Sequence, residues 1–517
     1  MKASLLKDFL RLFRFIYLIG FVITFGLLSV SCSDDEPVAD DDDDTEEPID
    51  PEEPEEPEDI VSEPFDFGRF PDDYSHISSY ADRSQWGFYN VHDPAIIKDG
   101  DYYYSYSTDA SYGNVIGPGI QMRRSKDLIN WQFLGLAFNG LPQKGAVFIS
   151  SNGGTPFNAL WAPYAIKVGS EYRLYYSLSS PTPRLSVIGL ATSSNPWGPW
   201  IEKDLVVTSL ANNTRQTNAI DPSVIIDQAG NHWFYYGSAW DGIYILQLDP
   251  ATGLALRAGD KGTRIAQRGF TNGQVNGNIE GPEIIYNEEQ QKYYLFIAYD
   301  WLETKYNVRV GRSDSPTGPF YDFHGHDMNE ELDDLPMILA PFKFENHPGY
   351  QGVSHPAVFQ DGQGQYYMAT QARPTNGVYF MTMHVRQMYW TEDGWPVVSP
   401  ERYGGLEQTA VTAEELAGEW ERIVFGYRVV PGYAEEQRQP DLQRSVPLTL
   451  GADGSINGDA GNQWTYNDGT LTLKWGDIPE EKVLVKRGRD WENQVMETLI
   501  FTGLNSEGTA IWGKKKQ

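Results

Sequence analysis

The chain has a single cysteine in 517 residues, Cys32, so no disulfide can form within it. Cations are scarce as well: 40 Lys and Arg stand against 72 Asp and Glu, a net charge of −32. Phosphate backbones are bound by clustered Lys and Arg, so this balance argues against a nucleic-acid partner. No G-x-S-x-G elbow and no H-E-x-x-H zinc motif occurs, and no thiol follows position 32. Serine-hydrolase, zinc-protease and cysteine-nucleophile chemistry therefore have no motif to rest on. Long apolar runs are missing too, except for residues 15–28 near the start.

That run has a basic beginning and ends in small residues leading to Cys32, the pattern of a secretory signal. An uncleaved membrane anchor is the competing reading. Small residues directly before the only cysteine favour a lipoprotein signal over residues 1–32, with Cys32 lipidated and the chain held at the outer membrane. Residues 34–59 then carry 17 acids, several prolines and no Lys or Arg. Like charges repel, proline blocks helix and almost nothing can pack, so 33–64 is expected to be a disordered acidic tether. A calcium cage needs a turn that converges its oxygens, and this run has no glycine. A Ser-acid cluster after a lipidated cysteine resembles the surface-export signal of Bacteroidetes lipoproteins, which implies a cell-surface location.

What the chain does have is aromatics, 14% of all residues, and a repeat. "HDPAIIKDGDYYYSYST", "WAPYAIKVGSEYRLYYSLSS", "IDPSVIIDQAGNHWFYYGS", "EGPEIIYNEEQQKYYLFIAY" and "HPAVFQDGQGQYYMATQA" share one order of features. Each has a residue before proline, a short apolar strand, a polar turn and an aromatic strand. Asp99-Gly100, Gly169, Gly230 and Asp361-Gly362 suit tight hairpins; a polar Asn-Glu-Glu-Gln-Gln stretch replaces the glycine in the fourth copy. The prolines, at 94, 163, 222, 282 and 356, lie 69, 59, 60 and 74 residues apart. Repeats of this size, each a small antiparallel sheet, point to an all-β fold with a five-bladed β-propeller over 65–405.

In a propeller the innermost strand of each blade lines the central channel. Asp93, Asp221 and Glu280 come from three repeats, each at or just ahead of its proline, so repetition brings three carboxylates to one cavity. Acids held together shift one another's ionisation, so that one can stay charged as a base while another keeps its proton. That is the requirement for cleaving a glycosidic bond. A single acid near proline reads as a strand cap; three in register do not.

These motifs carry a resemblance. "VHDPAII", "AIDPSVI" and "IEGPEI" resemble the three signature sites of glycoside hydrolase family 43, and "YGSAWDGIYILQLDP", "LATSSNPWGPW" and "VGRSDSPTGPF" resemble its endo-α-1,5-L-arabinanases. The resemblance implies a five-bladed propeller acting on arabinan with inversion. It makes Asp93 the general base, Glu280 the general acid and Asp221 the group that orients the acid and raises its pKa. Glu283, three residues on, reads as structural. It also implies one calcium ion in the channel, held largely by water and a histidine, and His355 in "VSHPAVF" falls on that position; a channel histidine bonded to a carboxylate is the other reading. His92 is expected to pack or hydrogen-bond beside the base. Trp161, Ser238 and Trp240 are candidate substrate contacts, since a flat indole suits the apolar face of a furanose. Tyr164 stands where the family usually has an acid, which puts one channel contact in question.

After Tyr403 the repeat stops. "TAEELAGEWERIVF" predicts a short helix capped by Thr412 with Glu415 and running into a strand. Alternating strands and Asp-Gly turns follow, so 406–517 is expected to be a smaller β-barrel or sandwich that binds polysaccharide or supports the propeller. The leading expectation is a monomeric, surface-anchored endo-arabinanase. An exo-acting arabinofuranosidase or β-xylosidase, and a non-catalytic glycan-binding propeller, remain open.

Overall fold

The structure, a computed structural model, describes residues 55–60, 63–73, 83–110, 115–271, 273–376, 381–426, 430 and 437–517. The signal sequence, Cys32 and most of the acidic tether lie outside the described residues. The chain divides into a unit of residues 1–56 and a unit of 57–517, and the second holds everything below. No helix among the described residues is long and apolar enough to cross a membrane. At the end of the expected tether, Arg124 donates to the carbonyl oxygen of Pro57 and Lys126 pairs with Asp59, so residues 57–59 lie on the first sheet.

Each repeat forms the expected hairpin. Val91–Asp99 pairs with Tyr102–Ala110, and Ile116–Ser125 and Gln132–Leu136 complete a four-stranded sheet. Sheets of the same up-and-down order begin with Trp161–Val168, Ser223–Ile226 and Ile279–Asn287. At the hairpin tips Gly100, Gly169, Gly230 and Gly362 take positive φ; in the fourth repeat Gln291 does so, at 51°. Only four of the expected five sheets are free-standing and four-stranded. The fifth repeat, Ala357–Gln360 with Tyr366–Pro374, Thr382–Trp390 and Pro396–Val398, sits in a seven-stranded sheet. Its inner strand has only four residues and covers half of its nine-residue neighbour. Tyr350–Gln351 pairs with the uncovered end at Arg373 and Pro374, and Phe342–Lys343 and Gln443–Arg444 extend that edge. The inner strands nevertheless close a ring: each packs on the next, and Ala357–Gln360 packs on both Ile279–Asn287 and Val91–Asp99.

The C-terminal residues form a closed eight-stranded barrel from Gly418–Val424 to Ala510–Lys515. Its lead-in is the expected helix, Ala413–Leu416, where the Glu415 carboxylate accepts from the Thr412 N–H at 2.8 Å. Trp420, Leu448, Leu471, Val483 and Phe501 fill the barrel interior. On its outer wall Ile423, Phe425 and Trp512 join Phe342 and Met368 of the propeller in one apolar cluster. Beside that cluster Lys514, 1% exposed, lies 3.0 Å from Glu401, 2.8 Å from Asp490 and 2.7 Å from Glu492. The barrel is thus bonded to the propeller by shared core and by buried charge.

Candidate active site

The residue before each repeated proline has left-handed backbone: Asp93 (φ 52°), Ala162 (28°), Asp221 (59°), Gly281 (58°) and His355 (56°). For the four that are not glycine such a conformation costs about 1 kcal/mol or more each. Strand pairing slips at the same points, between His92 and Ala95, Trp161 and Tyr164, and Glu280 and Glu283. These slips are bulges, which re-aim a side chain at a strand end. The kink leaves a backbone N–H in need of a partner, and the preceding sheet supplies it. Asp93 N–H donates to Gln371 Oε1 (3.2 Å), Ala162 N–H to Thr108 Oγ1 (2.8 Å), Asp221 N–H to Ser177 Oγ (3.1 Å) and Gly281 N–H to Asp221 Oδ2 (3.2 Å).

Asp93 is held on both oxygens. Thr108 accepts from Ala162 N–H, so its own hydroxyl proton goes to Asp93 Oδ2 at 2.7 Å. Oδ1 lies 3.1 Å from His355 Nδ1 and 3.4 Å from His92 Nε2. Burial works against charge on Asp93, but the two imidazoles and the hydroxyl outweigh it and hold the carboxyl below its ordinary range. His355 is the charged partner: burial opposes its proton, yet Asp93, Asp221 and Glu280 together raise it to about 9. Burial dominates at His92 and lowers it to about 4, so that ring is neutral.

Glu280 is bracketed by hydroxyls. Ser238 Oγ donates to Oε2 and Tyr306 Oη to Oε1, each at 2.8 Å. Burial raises the Glu280 pKa against these two bonds, with Asp93 adding repulsion. Asp221, 4% exposed, is raised well above its ordinary range by burial and by the nearby Glu280 and Asp93 charges. The three acids foreseen from the repeat are therefore brought together in contrasting surroundings: the Asp93 carboxyl is held down, and those of Asp221 and Glu280 are pushed up. Among the described residues no Lys or Arg lies within ion-pair distance of any of them.

The remaining candidates divide. His355 reaches Asp93 through a space that a side chain at 281 would close, since a Cβ on Gly281 would lie 3.1 Å from His355 Nδ1. Trp161 is half-buried on the repeat position of His92 and Glu280, with its ring 5.3 Å from that of Phe157. Trp240 is 43% exposed, with the Arg184 guanidinium 5.3 Å from its ring, and its loop is tied to the acid's strand by Ala239 N–H donating to the Ile279 carbonyl. Ser238, expected against substrate, has its hydroxyl on Glu280. Glu283 lies one step along the strand, accepting from Ser223 Oγ and Val358 N–H, and burial lifts it to about 8. Tyr164, in place of the usual acid, donates to the Val224 carbonyl at 3.1 Å.

Sequence reasoning missed Thr108, Ser177, Gln371 and Tyr306. A signal existed for two of them. "SYST" and "YYSLSS" put a hydroxyl at the end of the aromatic strand, and in the sheets Thr108 pairs with His92 and Ser177 with Trp161. Tyr306 follows a loop outside the repeat and carries no such mark.

The profile described as glycosyl hydrolases family 43 matches residues 88–396, and that of a C-terminal lipocalin-like domain matches 400–513. The chain belongs to glycosyl hydrolase family 43. An extracellular endo-α-(1→5)-L-arabinanase of Thermotoga petrophila is 30% identical over 468 residues, 82% of this chain and 93% of that enzyme. An extracellular endo-α-(1→5)-L-arabinanase of Bacillus subtilis is 26% identical over 478 residues, 85% of this chain and 95% of its own length. The crystal structure of the endo-1,5-α-L-arabinanase from Thermotoga petrophila superposes with a TM-score of 0.70 at 28% identity, covering 83% of this chain and 99% of that one. This family 43 chain is thus similar to two-part relatives along nearly their whole length, and the barrel belongs to the shared architecture.

Proposed function

We propose that the protein is an endo-α-1,5-L-arabinanase that hydrolyses arabinan with inversion. The observation that carries the reading is the contrast between the acids: Asp93, pinned by Thr108 and His355, has its carboxyl held down, whereas Glu280, pinned by Ser238 and Tyr306, has its own pushed up. Asp93 takes a proton from water, which attacks the anomeric carbon. Glu280 gives its proton to the glycosidic oxygen, whose bond electrons leave with the departing sugar. Asp221, joined to the Glu280 strand through Gly281 N–H, orients the acid. Trp161 and Trp240 serve as sugar platforms beside the acids. The ring of inner strands supports reading the seven-stranded sheet as a fifth blade.

Digestion of linear arabinan tests this. A ladder of oligomers with inverted anomeric configuration, followed by proton NMR, is expected. Arabinose as the sole early product would make the enzyme exo-acting, and no product from arabinan would leave the glycan-binding reading.

A calcium ion fits the channel by donor chemistry. His355 gives Nδ1–H to Asp93, so Nε2 would be the ligand, with the cation taking the place of the second imidazole proton. The surrounding carboxylates are already committed, so a hard cation here would draw most of its oxygens from water. When bound it would add positive charge beside Asp93 and favour its ionised form. Chelation is expected to lower activity without lowering the melting temperature, with recovery on adding calcium. Full activity in chelated enzyme that contains no metal by elemental analysis would remove the ion. Lipidation at Cys32 and attachment to the outer membrane, with a monomeric enzyme facing outward, complete the proposal. Palmitate labelling lost in Cys32→Ala checks the anchor.

A further inference from the structure

The two hydroxyls on Glu280 are not equivalent. Tyr306 is 1% exposed, and burial pushes its phenol well above the ordinary range, so its proton stays on oxygen and it meets Glu280 Oε1 as a donor. Ser238 can donate or accept, because an aliphatic hydroxyl rotates to suit its partner. A carboxylic acid has one oxygen that carries the proton and one that accepts well. A fixed donor on Oε1 leaves Oε2 to carry the proton, on the Ser238 side.

Tyr306 is also held through both ends of its loop. It closes a tight loop in which Thr304 N–H and Tyr306 N–H both donate to the Trp301 carbonyl at 3.1 Å. Asp300 at the loop's start has left-handed backbone (φ 73°) and is bonded by Arg268 and Asn307. Gln437, buried and lying between the first two barrel strands in sequence, accepts from Trp301 N–H and donates to Asp300 Oδ1; its carbonyl accepts from Thr304 Oγ1. A loop fixed at both ends delivers one phenol to one carboxyl oxygen.

We propose that Tyr306 is a positioning residue that assigns the catalytic proton to Glu280 Oε2, with Ser238 as the place-holder that the glycosidic oxygen displaces. In the bound state the Oε2–H bond breaks, the proton passes to the glycosidic oxygen, and the C–O bond electrons leave with that oxygen. The carboxylate left behind accepts from Tyr306 and Ser238 together, so a negative charge in a buried site is met at once by two donors. This inference rests on Glu280 being the general acid.

The test compares leaving groups. Tyr306→Phe removes one oxygen and keeps the ring. On arabino-oligosaccharide, whose leaving alkoxide needs a proton, kcat should fall about tenfold to a hundredfold. On a dinitrophenyl arabino-oligosaccharide, whose leaving group needs none, the loss should shrink to about twofold. In a Glu280→Gln background the same substitution should add nothing. Equal losses on both substrates, or an unchanged rate on both, overturn the role of Tyr306. If Glu280→Gln is itself as active as the parent on arabino-oligosaccharide, the assignment of the acid has failed instead. Should the Phe variant not fold, 3-fluorotyrosine at 306 carries the same comparison: a rate change on the oligosaccharide alone supports the role, and a shared or absent change overturns it.

Discussion

Among the described residues, two clusters of three carboxylates are built to opposite ends. Glu401, Asp490 and Glu492 could pass for a metal site, since one oxygen of each falls within 4.8 Å of the others. Lys514 occupies that position, and its ammonium is within 3.0 Å of all three. Burial works against the charges and pushes Glu401 well above its ordinary range, yet Lys514 holds Glu492 down at about 2 and the acids hold the lysine charged. Asp93, Asp221 and Glu280 have a histidine in that role, and His355 is bonded to Asp93 alone of the three. Burial pushes the other two, Asp221 and Glu280, upward. A lysine centred on all three acids fixes the barrel on the propeller; a histidine bonded to one acid alone leaves Glu280 to its two hydroxyl partners, an arrangement that suits giving a proton.

The sharpest test of this contrast lies in the channel. Asp93→Asn and Glu280→Gln are each expected to lower kcat by about two to four decades. Neither should lower the melting temperature, because each amide keeps the shape of the acid it replaces and His355 can release its proton once Asp93 is neutral. A fall in stability parallel to the fall in activity would break the comparison. Next in size is Lys514→Met. Stripping the cation from its three acids should cost about 3–5 kcal/mol in urea unfolding, with activity per folded molecule unchanged. A variant as stable as the parent would mean that the acids share protons and need no counter-charge.

The smallest effect concerns Glu283, which neighbours the catalytic acids but faces Ser223 and Val358 N–H. Its folded pKa, about 8, lies above the ordinary value of 4.5, so the folded state binds the proton more tightly than the unfolded one. Stability from this group is full below the ordinary value and is lost as pH rises through about 8. Glu283→Gln should flatten that decline, by at most about 1.4 kcal/mol per pH unit, and leave turnover within about threefold. A decades-wide loss of rate would move Glu283 into the reaction.

The sequence shows the repeat because each copy must solve one local problem, a strand that starts at a kink before proline and folds back through a tight turn. The acids were legible for the same reason: Asp93, Asp221 and Glu280 occupy the repeat's own coordinates. The seven-stranded sheet was not legible, because Phe342–Lys343, Tyr350–Gln351 and Gln443–Arg444 are two-residue strands with no period to read. Tyr306 and Gln437 escaped for a different cause. They act across 26 and 137 residues of chain, on Glu280 and Asp300, through a loop conformation that no short pattern encodes. Ser238 was visible but its partner was not, since a hydroxyl in a motif does not reveal whether it meets sugar or protein.

The five kinks have an evolutionary side. Each is a backbone socket that accepts whichever residue tolerates left-handed φ, and the sockets hold Asp, Ala, Asp, Gly and His in turn. Asparagine and glycine enter such a socket easily, whereas valine, isoleucine and threonine clash within it. A saturation scan at 93, 162, 221 and 355 would therefore separate two alphabets. One is the set of residues the frame admits, ordered by backbone shape and shared by all four positions. The other is the set the chemistry admits, different at each. New specificities on this scaffold can be sought by trading occupants within the first alphabet, one socket at a time, without rebuilding the ring that holds them.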